Sequence, residues 1–422
     1  MIFIFQSDMA FFYNIGISAY TLAIRLASPF NEKASLWVKG RKNIRERIGG
    51  VEKEDHPLVW FHAASLGEFE QGRPVMEALK KARPEVRILL TFFSPSGYEI
   101  RKNYTGADFI FYLTADTPRN ARHFIRSVQP DAAVFVKYEY WYNYLHQLHK
   151  QHIPTYLISA IFRKEQPFFR RWGGLHRKML RFFTHLFIQD EESARLLSSI
   201  GVQNFEQTGD TRFDRVKQIA DAARNIGIVE RFLNGSPAVV CGSTWPPDED
   251  LLLDYINRDE SGFKWIIAPH EIGESHIKNI LEKCKACAVR YSQEGSDLSE
   301  AKVLIVDCIG LLSSVYRYGQ IAYIGGGFGA GIHNTLEAAV YGIPVIFGPR
   351  YRKFNEAVRL IQTGGAFSIQ NKTELDELLD TLLRNEAITK TAGQKALEYV
   401  DSQLGSPDVI MKFISSSLST SR

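Results

Sequence analysis

From about residue 50 onward, short apolar runs alternate with amphipathic stretches. The runs Leu58–Ala63, Arg87–Phe93, Asp108–Leu113, Ala132–Val136, Pro154–Ser159 and His185–Gln189 read as strands, and Phe69–Ala82 and Thr117–Ser127 are among the helical segments between them. Strands this short and this apolar, separated by helices, predict a parallel sheet covered on both faces. The segment VKQIADAARNIGIVERFLNGSP breaks the alternation. A second set follows: Ala238–Cys241, Lys264–Ala268, Val303–Val306, Ile321–Ile324 and Pro344–Phe347. The chain therefore reads as α/β, with two doubly wound, Rossmann-like domains at 49–215 and 237–422 joined by a linker at 216–236. A last helical stretch, Asp408–Ser417, starts behind Pro407 and is expected to pack back on the first domain.

The N-terminus follows another pattern. Phe11–Phe30 is mostly apolar with one charge, Arg25, and does not end in a small-residue cleavage site. About 20 such residues suffice to cross a bilayer or to lie in its surface. Lys33, Lys39, Arg41, Lys42, Arg45 and Arg47 come next. Basic residues in that place mark the cytoplasmic side and attract anionic lipid. Residues 1–48 are thus expected to be a membrane anchor with a basic flank; the alternative is a buried helix with a solvated basic face.

Composition adds little to this picture. The 422 residues are 45% hydrophobic and 23% charged, with a net charge of +4. That is a globular composition with no global demand for nucleic acid. Of the four cysteines, Cys284 and Cys287 form a lone C-x-x-C at helical spacing behind Ile277, Ile280 and Leu281, which predicts both thiols on a buried helix face and no zinc site.

In open α/β sheets, ligands sit beyond the carboxyl ends of the strands. In PLVWFHAASLGEFEQ, Glu68 stands where a strand gives way to a helix, either as an acid suited to the helix N-terminus or as a proton acceptor. AAVFVKYEYW sets Lys137, Glu139 and Trp141 at alternate positions; the Lys and Glu are either a structural ion pair or functional groups. Arg212 in TGDTRFD suits either a phosphate or a surface salt bridge. Ser94, Ser96 and Gly97 mark another strand-to-helix turn suited to a small anion. In the second domain, IAYIGGGFGAGIHNTLEAAVYG runs a strand into glycines, with Gly326 and Gly327 among them, and then into a helix near Asn334. Glycines let backbone N–H groups approach an anion at a helix start. Asn334 and Glu337 have capping-box spacing, and Glu337 equally suits a ribose hydroxyl. Ser243 and Thr244 follow a strand and either cap the next helix or touch a ligand. Arg163, Lys164, Arg170, Arg171, Arg177, Lys178 and Arg181 lie among aromatics; beside an anchor they point to lipid phosphate before a solvated face, and to nucleic acid last.

Together these stretches resemble the Kdo transferases, which attach 3-deoxy-D-manno-octulosonic acid (Kdo) to lipid A precursors. ASLGE, KYEYW, TGDTRFD, CGST, Pro269, VDCIGLL and GGGF…HNTLEAAVYGIPVIFGP carry the likeness, in the family's order and over nearly the whole chain. The resemblance implies a GT-B glycosyltransferase fold, with an acceptor-binding first domain and a CMP-sugar-binding second one. It implies a CMP-Kdo donor, a lipid A precursor as acceptor, inversion of configuration, no cofactor or metal, and a place on the cytoplasmic side of the inner membrane. By the same likeness Glu68 is the general base and Glu139 stabilises the transition state. Arg212 stands where the family usually has a lysine. Donor contacts are implied at Pro269, His270, Ile309, Gly310, Leu311, Asn334, Thr335, Leu336 and Glu337. The chain departs from the family at His270, where an arginine is usual, and at Leu311, where a glutamate is usual. Two other readings use the same elements: a GT-B transferase or epimerase acting on a UDP-sugar, which UDP and not CMP would stabilise, and a non-catalytic membrane-attached scaffold that binds the nucleotide without transfer.

Overall fold

A computed structural model describes residues 2–51, 54–293 and 298–419. The chain divides into two units, one comprising the residues up to Arg215 together with those from Gly405, the other Val216–Leu404. In the first unit the strands are β1 (Leu58–Ala63), β2 (Arg87–Phe92), β3 (Phe109–Tyr112), β4 (Ala132–Val136), β5 (Thr155–Ala160), β6 (His185–Ile188) and β7 (Phe205–Gln207). They form one parallel sheet in the order β3-β2-β1-β4-β5-β6-β7. The period of two along β1 divides its side chains between the faces. Leu58 and Trp60 join Phe124, Phe135 and Tyr144 in the core on one side. Val59, Phe61 and Ala63 join Phe69, Val75 and Leu79 on the other.

The second unit repeats the plan. Its strands are β8 (Ala238–Thr244), β9 (Lys264–Pro269), β10 (Ala288–Arg290), β11 (Val303–Ile305), β12 (Ile321–Ile324), β13 (Val345–Phe347) and β14 (Ala366–Ser368). They lie parallel in the order β10-β11-β9-β8-β12-β13-β14. Residues 216–236 carry the end of a helix, Arg212–Asp221, and a second helix, Gly227–Leu233. The final helix, Ser406–Ser419, lies in the first unit, where Ile410, Ile414 and Leu418 complete the core over Val134 and Ile158. Tyr156 Oη donates to Phe413 O at 3.2 Å from the sheet below.

Helix α1 (Ile2–Ala27) precedes α2 (Glu32–Gly40) and α3 (Ile44–Gly49). It packs on the first unit through polar as well as apolar groups. Tyr13 Oη donates to the buried Asp116 at 2.7 Å, Asn143 Nδ2 donates to Asn14 Oδ1 at 2.9 Å, and Tyr20 stacks on Phe93. Among the described residues no helix is long and apolar enough to cross a membrane; Asn14, Gly16, Ser18 and Arg25 dilute the run. Phe11, Phe12, Ile15, Leu22 and Leu26 remain exposed along one stripe of α1.

The expected cysteine helix is shorter than its pattern. It spans Glu274–Lys283, and Cys284 is already extended. Asn257 accepts from Lys285 N at 2.7 Å and donates to Lys283 O at 3.0 Å, which takes over the backbone groups a further turn would need. Cys284 is therefore half-buried and Cys287 exposed, not both buried as the spacing predicts.

Candidate active site

In the first sheet the strand order reverses between β1 and β4, the place where open α/β sheets hold ligands. Glu68 follows β1 and Glu139 follows β4. Glu68 is in the first turn of α4 (Leu66–Ala82) and closes a capping box: Ser65 N and Ser65 Oγ both donate to Glu68 Oε2 at 2.8 Å. The bland role is thus real, yet it leaves Oε1 outside these bonds. Burial and then the charge of Glu139 push the Glu68 carboxyl up, against the Ser65 bonds and His62, which lower it. A carboxylate with raised affinity for a proton is what a general base requires.

Glu139 is buried, and its Oε2 accepts from Trp141 Nε1 and meets His62 Nε2 at 3.1 Å. His62 is fully buried on β1. Its Nδ1 lies 2.9 Å from Thr91 Oγ1 and 3.1 Å from Thr91 O on β2. Thr91 Oγ1 in turn accepts from Trp60 Nε1 at 2.8 Å. Lys137, just past β4, has φ +63°, a left-handed conformation that a non-glycine residue adopts at a cost.

Arg212 opens the helix Arg212–Asp221 and is clasped by Asp210, with Nε and Nη2 each 2.8 Å from Oδ2. Gln71 of α4 donates to the other oxygen of Asp210 at 3.0 Å. Burial pushes the Asp210 carboxyl up, but Arg212 and Gln71 outweigh it and hold it below the ordinary carboxylate value. Burial pushes the Tyr138 hydroxyl up, opposed by the charges of Arg163 and Arg212 and reinforced by those of Asp210 and Glu68. Glu70 is the other acid of this helix start, and it bonds Arg101 at 2.7 Å and Arg215 at 3.1 Å.

In the second unit the order reverses between β8 and β12. Ser243, Thr244, Pro269, His270, Ile309–Leu311 and the glycines after β12 all lie at the carboxyl ends of the adjacent strands β11, β9, β8 and β12. Their individual roles differ. Thr244 Oγ1 donates to Glu249 Oε1 in the following helix at 3.0 Å, while the first turn of that helix is closed by Asp248, which accepts from Trp245 N. His270 stacks on both Trp245 and His333, with centroids at 4.6 and 4.4 Å, and those two rings lie side by side, Trp245 Nε1 donating to His333 Nε2 at 3.0 Å. Burial, then His270, push the His333 imidazole down. Ile309 is 89% exposed at a loop tip.

The glycine loop is chiefly a packing device. A Cβ at Gly327 would lie 2.6 Å from the Gly348 backbone, and Gly326 N donates to the buried Asp248 at 2.9 Å, not toward a ligand. Asp248 also accepts from Trp245 N at 3.0 Å and Tyr323 Oη at 2.9 Å, so one carboxylate ties β12, the loop and the helix after β8. Asn334 Oδ1 caps Leu336 N at 3.1 Å, and its Nδ2 donates to Glu337 at 2.9 Å. The side chains of Thr335 and Leu336 are fully buried, which limits them to backbone contact with any donor. Thr335 Oγ1 has no hydrogen-bond partner. Among the described residues, no three His, Cys, Asp or Glu side chains gather as a metal site would need.

The family described as 3-deoxy-D-manno-octulosonic-acid transferase (kdotransferase) matches residues 42–215. A 3-deoxy-D-manno-octulosonic acid transferase of Aquifex aeolicus is 30% identical over 336 residues, 77% of this chain and 86% of the relative. The chain belongs to the Kdo transferase family. A Kdo transferase is a glycosyltransferase, and the fold fits: a putative UDP-N-acetylglucosamine 2-epimerase of Listeria monocytogenes superposes with a TM-score of 0.62 at 13% identity, covering 87% of this chain and 98% of that one. The calicheamicin glycosyltransferase CalG4 gives 0.55 at 11%, covering 87% and 99%. Two parallel-sheet α/β units make this Kdo transferase a GT-B protein.

Four polar residues of the transferase escape a reading of strand ends: His62, Thr91, Asp210 and Asp248. Each is buried and hydrogen-bonded. The available signal was a polar residue inside an apolar run, as His62 is within LVWFHA, since burial of such a group is costly unless it is partnered.

Proposed function

We propose that this protein transfers Kdo from CMP-Kdo to a lipid A precursor, the activity its family is named for, with inversion at the anomeric carbon. The observation that carries the reading is Glu68, whose proton affinity is raised at the switch point of the first sheet beside Glu139. Glu68 takes the proton of the acceptor's primary hydroxyl as that oxygen attacks, and CMP departs from the opposite face. Glu139 stabilises the transition state. Arg212, its Nε–Nη2 edge already held by Asp210, is the candidate cation for the departing phosphate. The nucleotide lies at the carboxyl ends of β8, β9, β11 and β12, near Ser243, His270, Gly310 and the Asn334–Glu337 run.

The acceptor is a lipid, and the exposed stripe Phe11, Phe12, Ile15, Leu22 and Leu26 on α1 supports attachment to the cytoplasmic face of the inner membrane. The helix would lie in the surface and not span it. Exposed Trp172 and Arg171 add an aromatic and a cation beside the helix Gly174–Leu180, against which α1 packs. The test is incubation with CMP-Kdo and tetraacylated lipid A precursor. A product heavier by whole Kdo residues is expected. Turnover of a UDP-sugar instead, or CMP binding with no product, would overturn the reading.

A further inference from the structure

The mechanism above uses Glu68 and Glu139 and leaves the neighbouring His62 without a task. Yet His62 is among the most constrained polar groups of the molecule. It is fully buried, and the rings of Trp60, Phe135 and Trp141 lie about it with centroids at 6.3, 5.8 and 6.0 Å. Both ring nitrogens are engaged, one by Thr91 and one by Glu139.

The donor and acceptor count fixes what His62 gives. Glu139 Oε2 already accepts from Trp141 Nε1 and serves as an acceptor, so Nε2 carries a hydrogen toward it. With a neutral ring, Nδ1 then accepts from the Thr91 hydroxyl, whose oxygen receives Trp60 Nε1–H. With a protonated ring, Nδ1–H goes to Thr91 O. Both arrangements deliver an N–H to Glu139. Trp141 delivers a second N–H to the same oxygen, so Oε2 is pinned by two donors.

A buried polar set of this kind is a weak source of fold stability. Replacing a buried, mutually bonded polar set by apolar groups of similar shape is often neutral. A buried polar chain running from Trp60 through Thr91 and His62, and ending on an acid beside the reacting base, has its natural explanation at that acid.

We propose that His62 is a positioning residue for the transfer reaction, acting through Glu139: it donates Nε2–H to that carboxylate and holds it fixed in direction beside Glu68. This rests on the reading of Glu68 and Glu139 as the reacting pair. Thr91 is the outer anchor that sets the ring's orientation.

Two variants at one position test it. His62→Phe keeps a ring among Trp60, Phe135 and Trp141 but gives Glu139 nothing. His62→Gln restores an N–H near the place of Nε2. Transfer kinetics are measured on both with the full chain, alongside CMP affinity and thermal unfolding. His62→Phe is expected to lower kcat by about tenfold to a hundredfold, the range known for outer partners that orient metal ligands. Its KM for the donor and its CMP affinity stay within about twofold, and His62→Gln regains most of the loss. A folded His62→Phe with wild-type kcat overturns the proposal, as does a His62→Gln that folds and is as impaired as His62→Phe. If His62→Phe does not fold, Thr91→Val reads the same chain from its far end: a lowered kcat at unchanged KM supports it, and an unchanged kcat overturns it. Glu139→Gln separates the two levels. If that variant has normal kcat, the reacting-pair reading fails; if it is impaired while His62→Phe is not, only the positioning role fails.

Discussion

Glu68 shows how one carboxylate serves two purposes. Its Oε2 closes the N-terminus of α4, while burial and Glu139 raise its affinity for a proton. Because the folded-state value is raised, activity is expected to fall on acidification at a pH above the ordinary carboxylate range. Glu139→Gln removes the like charge, so the acid limb of kcat/KM should move to lower pH while kcat drops; a limb that stays in place would separate the two acids. Glu68→Ala should retain CMP binding and lose at least about a hundredfold in transfer. The sequence makes the pair visible through strand ends, since Glu68 and Glu139 both follow apolar runs. It does not show His62 or Asp248 in their roles, because the partners that give those roles are 77 and 78 residues away along the chain.

At the scale of elements, legibility follows burial. Central strands such as Ala132–Val136 are buried at every position and read as unbroken apolar runs. The three-residue strands Phe205–Gln207, Ala288–Arg290 and Ala366–Ser368 stand at sheet edges, are half-covered and carry mixed residues, so no run announces them. Helix α1 is the element whose reading changed most. It is docked by Tyr13 on Asp116, whose carboxyl burial pushes up to about 6 despite the Tyr13 and backbone bonds that lower it. That value lies above the unfolded one, so the folded state holds the extra proton. The stability contribution is full below about pH 4 and is lost as pH rises through about 6. Asp116→Asn should flatten the pH dependence of unfolding in that window, and Tyr13→Phe should cost about 1–3 kcal/mol at neutral pH. The outer stripe of α1 makes a separate claim. Leu22→Glu with Leu26→Glu should reduce flotation with anionic vesicles and leave CMP affinity unchanged; undiminished flotation would place the membrane contact elsewhere.

At the scale of the whole molecule, the chain leaves the first unit at Arg215 and returns at Gly405. Gly405 N donates to Asp214 at 2.8 Å and Ser406 Oγ bonds Thr208 O, so the return is fastened where the departure occurred. A chain ending at Leu404 would lack Ile410, Ile414 and Leu418, each fully buried and each worth about 1.5–3 kcal/mol. That sum rivals the net stability of a whole domain. Such a truncation is expected to unfold or aggregate the first unit while CMP binding by the second persists, as differential scanning calorimetry with and without CMP would show.

The same return sets a timetable for synthesis. Domains usually fold in the order in which they emerge from the ribosome, at about 5–20 residues per second. Here the first sheet is complete when β7 has emerged, but the helix that completes the cover of one of its faces begins about 200 residues later. For roughly 10–40 seconds of translation, Val134, Ile158 and their neighbours on that face lack the cover of Ile410, Ile414 and Leu418, while an entire second unit is made. The nascent chain is therefore a natural client for chaperones during that interval, and the helix Ser406–Ser419 is the element that releases it.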